Sequence, residues 1–182
     1  MISSMDRISW KTEWQITKFK DPTDRIARLL RAGMKIEDAV KAFPAHFLGI
    51  VKWEKNVALD EGLQEIIDII IGAGSPILYD HDNARIGVGD TASPSPMHTQ
   101  TGLQAPTNKT WNAMDTSYPS RSGQIAEWRS TFGANDANYA WEEYTVVNAS
   151  SDSGKNLNRC TSSKGTKTSG EVWTLSVKIT FS

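Results

Sequence analysis

Alternation of apolar and polar residues is clearest near the two ends of the chain. Over residues 8–19, Ile8, Trp10, Thr12, Trp14 and Ile16 share one parity while Lys11, Glu13 and Gln15 take the other, which predicts a strand with two tryptophans on one face. At the other end, Trp173, Leu175, Val177, Ile179 and Phe181 alternate with Thr174, Ser176, Lys178 and Thr180, predicting a half-buried strand over 171–181. Further strands are expected at 49–59, at 84–89, where Ala84, Ile86 and Val88 share a parity, near 124–133 and 139–149, and as a short piece over 157–162. The run from Asn135 to Ala149, following Ala126 to Gly133, is read as the hinge of a β-hairpin that carries interaction surface.

Three stretches carry helical spacing instead. Asp21-Pro22-Thr23-Asp24 opens a helix whose Ile26, Leu29 and Leu30 line one face and whose Arg25, Arg28 and Arg31 line another, with Gly33 stopping it. A short helix over 36–43 has Glu37 and Asp38 in its first turn and Pro44 after it. Residues 60–71 give the strongest pattern, with Leu63, Ile66, Ile67, Ile70 and Ile71 recurring before Gly72. At about 1.5–3 kcal/mol for each fully buried aliphatic, this helix is expected to be buried and to anchor the core.

Residues 90–123 are rich in Ser, Thr, Pro, Gly and Asn and predict one long loop. The fold expected is therefore α+β, mainly β: an antiparallel β-sandwich-like domain over 49–182 with the buried helix 60–71, preceded by an N-terminal arm with short helices over 1–48. Ile26, Leu29 and Leu30 are too few for an independent core. The terminal strand is expected either to pack on its own domain or to reach a neighbouring subunit, and the arm as a whole to lean on another protein chain, with Trp10, Trp14, Arg25, Arg28 and Arg31 as interface candidates and a solvated helix face as the ordinary reading of the arginines.

Composition narrows the function. Twenty Lys and Arg balance 21 Asp and Glu for a net charge of −1, so no bulk attraction to nucleic acid or membrane is expected. The first residues lack a basic region followed by an apolar run, and no stretch approaches the roughly 18 apolar residues of a spanning helix, which points to a protein made in the cytosol. Cys160 is the only cysteine, so no disulfide can form within one chain. The sequons at Asn108 and Asn148 are treated as chance.

Candidate chemistry is sparse. Asp80-His81-Asp82 is the one dense set of metal-ligand types, and its ordinary reading is a turn. Gly87-Val88-Gly89-Asp90-Thr91 lacks the Lys-Ser/Thr of a phosphate loop, and its glycines are read as letting a strand leave its sheet. His46, His81 and His98 are scattered, and Glu142 and Glu143 fall on opposite faces of a strand. No catalytic residue, cofactor or metal is expected, and the chain reads as a non-enzyme. Trp111, Tyr118 and Tyr139, near loops rich in Asn and Asp, suggest a second reading as a carbohydrate- or receptor-binding module, with Trp111 a further interface candidate.

Four segments carry a family resemblance: Asn56-Val57-Ala58-Leu59-Asp60-Glu61-Gly62-Leu63, Ile86 to Asp90 ending in Val-Gly-Asp, the Thr- and Pro-containing Thr91 to Leu103, and the C-terminal meander from Gln124 to Ser182. Over about residues 50–182 the chain resembles virion structural proteins of tailed double-stranded-DNA bacteriophages. The resemblance implies a capsid decoration or cement protein, or else a tail, neck or fibre component. It implies a homo-oligomer in the virion, with the major capsid protein or tail and neck proteins as partners.

Overall fold

The computed structural model describes residues 10–182. Ten strands and three α-helices run in the order β1 (Trp10–Lys20), α1 (Arg25–Arg31), α2 (Ile36–Ala42), β2 (Phe47–Trp53), β3 (Val57–Ala58), α3 (Asp60–Ile71), β4 (Arg85–Gly89), β5 (Lys109–Ala113), β6 (Ser120–Ser122), β7 (Ile125–Phe132), β8 (Glu143–Val147), β9 (Asn158–Thr161) and β10 (Glu171–Phe181). They form two five-stranded antiparallel sheets, ordered β2-β1-β10-β7-β6 and β3-β9-β8-β4-β5. The two sheets pack together as a mainly β sandwich.

Strand parity decides which residues meet between the sheets. β1 pairs with β10 from Trp10↔Phe181 to Lys20↔Glu171, so Trp14 and Ile16 lie beside Val177 and Leu175 on the inner face. β7 adds Trp128 and Phe132 opposite Val177 and Trp173. The facing sheet contributes Ile86, Val88, Tyr144, Val146 and Cys160 to the same core. Trp141 fits edge-on against Phe132 and Trp173, with ring centroids 4.7 and 4.9 Å apart. A second core forms on the outer face of the first sheet, where Phe19 and Val172 pack under Ile26, Ala27, Leu30, Ile36 and Ala39 of α1 and α2. The Asp21 carboxylate caps α1 by accepting from the backbone N–H of Arg25, Ile26 and Ala27.

Residues 10–48 are therefore no separable arm. β1 lies between β2 and β10, and α1 and α2 cover that sheet, so this segment is part of the domain it was expected to leave. The physical reason is that Trp14 and Ile16 complete the sandwich core, and only the opposite face of β1 remains for the helices. Ile8, the first residue of the expected strand pattern, lies outside the described residues.

The 90–123 region also differs from expectation, because β5 and β6 form within it as outer strands. Its first half is bound down. Glu143 and Arg159, both fully buried and 2.7 Å apart, lie between the second sheet and the loop. Glu143 accepts from the backbone N–H of Gln104 and Ala105, while Arg159 donates to the Pro94 carbonyl and the Gln100 side chain. Removing one member of such a pair strands a buried charge.

Candidate interaction surface

Helix α3 has the expected bounds but the opposite orientation. Its inward residues are Gly62, Glu65 and, half-buried, Ile66 and Ile69, at spacings of three, four and seven. Gly62 sets this orientation by close approach, since a Cβ there would lie 2.5 Å from the Leu157 Cα and 2.6 Å from the Asn156 carbonyl oxygen. Polar anchors hold it. The Glu65 carboxylate accepts from the Ile77 N–H at 2.6 Å and the Asn148 amide at 3.0 Å, Glu61 accepts from the Asn156 N–H, and Asp60 pairs with His98 at 2.8 Å.

The aliphatic stripe is consequently left facing solvent. Leu63 is 38% exposed, Ile67 54%, Ile70 75% and Ile71 67%. Ile77 and Leu78, which follow the helix and are tied to it through Glu65, are 45% and 49% exposed. The buried anchor expected from the sequence is thus corrected: the helix is seated by a glycine and a carboxylate, and only Ile66 of the five named aliphatics packs against the core. An exposed apolar patch of this kind is a candidate interaction surface.

The stretch of chain that carries the patch is acidic, although Glu65 is buried, Asp60 is paired with His98, and exposed Lys155 precedes the Asn156 on which the helix is seated. Between Asn56 and Ala84 the chain holds Asp60, Glu61, Glu65, Asp68, Asp80 and Asp82 and no Lys or Arg. A second exposed apolar element is β2, the outermost strand of the first sheet, where Leu48, Ile50 and Val51 are all open to solvent. An outermost strand also leaves one row of backbone donors and acceptors free for another chain.

The residues singled out from sequence are dispersed. Trp14 is buried, stacks on Trp53 with centroids 6.0 Å apart and donates to the Lys55 carbonyl, and Trp10 packs on Phe181. Arg31 is tied inward, pairing with Asp136 at 2.7 Å and donating to the Thr131 carbonyl. Arg25 lies over the Phe43 ring and Arg28 donates to the Thr23 carbonyl, both exposed, so the three arginines do not act as one face.

Trp111 is half-buried in β5, against the bare α-carbon of Gly87. Gly87 and Gly89 therefore make room for Trp111 and Glu143 within β4, where the expectation was a strand leaving its sheet. The Tyr139 hydroxyl lies 3.0 Å from both the Val88 carbonyl and the Thr110 hydroxyl, and burial raises its pKa to about 12. Tyr118 stacks on the Arg129 guanidinium at 4.3 Å, on the other sheet. The three aromatics form no shared platform.

Asp80 closes a turn, its carboxylate accepting from the Asn83 backbone and side chain. Among the described residues, no three metal-ligating side chains converge. Cys160 is buried, burial raises its pKa, and the Trp53 indole N–H points to its sulfur at 3.4 Å. It is a core residue with little thiolate character. The sequence signal that would have found the α3 surface is the pair Gly62 and Glu65, set three apart, a small and a charged residue competing with aliphatics for the inward face.

No protein-family model matches the chain, no curated protein matches it in sequence, and no solved structure matches it in fold.

Proposed function

We propose that this chain is a non-enzymatic structural protein of a tailed bacteriophage particle, a head decoration or cement protein that docks through the outward face of α3. The observation that carries this reading is the solvent-facing stripe of Leu63, Ile67, Ile70 and Ile71. Leaving four large aliphatics in water forgoes about 1 kcal/mol or more apiece, which docking would recover. The acidic stretch that carries the stripe favours, as its occupant in this reading, a surface of the major capsid protein that is apolar at its centre and rimmed by Lys or Arg. A second copy of this chain would bring carboxylates against carboxylates at α3. Self-association into a closed homo-oligomer is therefore assigned to the β2 edge.

Supporting the virion reading are the Asn56–Leu63 and Ile86–Asp90 motifs, which resemble those of phage structural proteins and lie at the start of α3 and in β4. Mass spectrometry of particles purified from the phage that encodes the chain is the test. Hundreds of copies per particle are expected for a head decoration protein. A few dozen or fewer would move the protein to the tail or neck, and its absence from particles would end the reading.

A further inference from the structure

We propose that the groove across the outer face of the first sheet is a binding site for a short, uncharged oligosaccharide. The groove has a volume of about 560 Å³, within the size range of small-ligand sites. It lies on the part of the sheet that α1 and α2 leave open, away from α3, so the inference does not rest on the docking surface.

Two rows of side chains, fixed by strand register, make its floor. One runs Lys52, Gln15, Ser176, Arg129 across β2, β1, β10 and β7, and the next runs Glu13, Lys178, Glu127. Arg129 is a rigid member: its Nε donates to Asp115 at 2.8 Å, one Nη donates to the Leu30 carbonyl at 2.8 Å, and the other lies 3.4 Å from the Tyr118 hydroxyl. Tyr118 and the start of α2 line the sides, where Lys35 faces the groove together with Glu37.

The chemistry of the lining selects the ligand class. Cations (Lys35, Lys52, Arg129, Lys178) and carboxylates (Glu13, Glu37, Glu54, Glu127) are present in equal number, so the groove has no net sign to attract a polyanion or a simple ion. A peptide is a poor fit as well. The floor is the face of a sheet and not its edge, and peptide strands are taken up at edges or in apolar pockets. What remains is a ligand that donates and accepts hydrogen bonds along its length without charge, as sugar hydroxyls do.

The experiment is a printed array of bacterial surface, plant and mammalian oligosaccharides probed with the full chain, followed by titration calorimetry on the hits. Binding of a neutral oligosaccharide is expected, and the double variant Q15A/S176A should weaken it by about tenfold or more, two hydrogen-bonding groups being lost. K52A, at an exposed position, should weaken it severalfold and serves if the double variant does not fold. W111A should leave affinity unchanged. The proposal is overturned if wild-type protein binds no oligosaccharide, if only charged glycans bind, or if binding survives Q15A/S176A and K52A.

Discussion

Helices α1 and α3 are both short, both rich in aliphatics at helical spacing, and end up with opposite faces inward. In α1, Ile26, Ala27 and Leu30 meet Phe19 and Val172 on the sheet beneath, and the charged side chains remain outside or at the margin. In α3, the sheet side offers the backbone of Leu157 and Asn156 and the polar Asn148, so Gly62 and Glu65 are the residues that fit. Periodicity identifies an apolar face, but the surface on offer decides whether that face is used within the chain. The aliphatics of α3 are thus spare with respect to folding, which is the physical basis for giving them a docking role.

The largest expected effect comes from the α1 side. Leu30→Ala should cost about 2–5 kcal/mol in denaturant unfolding, because Leu30 is fully buried and the cavity cannot fill from solvent. A loss under about 1 kcal/mol would mean that α1 is no more committed to the sheet than α3. Next is Gly62→Ala, which forces a Cβ against the Leu157 backbone and should cost about 1–3 kcal/mol while pushing α3 outward. Hydrogen exchange should then rise across 60–71 alone. Smallest in stability is Ile70→Ala: at 75% exposure it should move the unfolding free energy by no more than about 0.5 kcal/mol, and a drop comparable to that of Leu30→Ala would erase the contrast.

A pH series sharpens the same comparison from the polar side of α1. Lys167 donates to the Gly133 carbonyl and to Asn138, near Asp24 and Arg31 of the α1 region, and burial lowers its pKa from 10.5 to about 8. Between those values the unfolded chain holds a proton that the folded one has released, so this residue's contribution to stability grows as pH rises from about 8 toward 10.5. Subtracting the pH curve of Lys167→Met from that of wild type should reveal this rise. A flat difference would show that the ammonium is not held in a poorly solvated site.

Much of the sandwich was legible because its strands are half-buried. The parity of Trp173, Leu175, Val177 and Ile179 names the inner face of β10 outright, and the alternation of β1 is equally clear. What alternation cannot say is where a strand sits in its sheet. β1 was therefore open to being read as an arm, although a strand with Trp14 and Ile16 on one face and Phe19 on the other is suited to burial on both sides. β5 was missed because Lys109–Ala113 carries only Trp111 as a large apolar residue and owes its place to the gap at Gly87. Glu143 and Arg159 are 16 residues apart and meet only through the β8–β9 pairing, so the clamp on the Pro-rich loop left no local pattern. The groove on the first sheet was illegible for the same reason: Gln15, Ser176 and Arg129 become neighbours only by register.

The most direct test of the central claim is co-sedimentation of the purified chain with particles stripped of it, comparing wild type with the double variant I67D/I70D. Both substituted positions are more than half exposed, so the variant should retain the circular dichroism spectrum and Tm of wild type. Wild type should return to the particle, and the folded variant should stay in the supernatant. A folded variant that binds particles as well as wild type would contradict the claim.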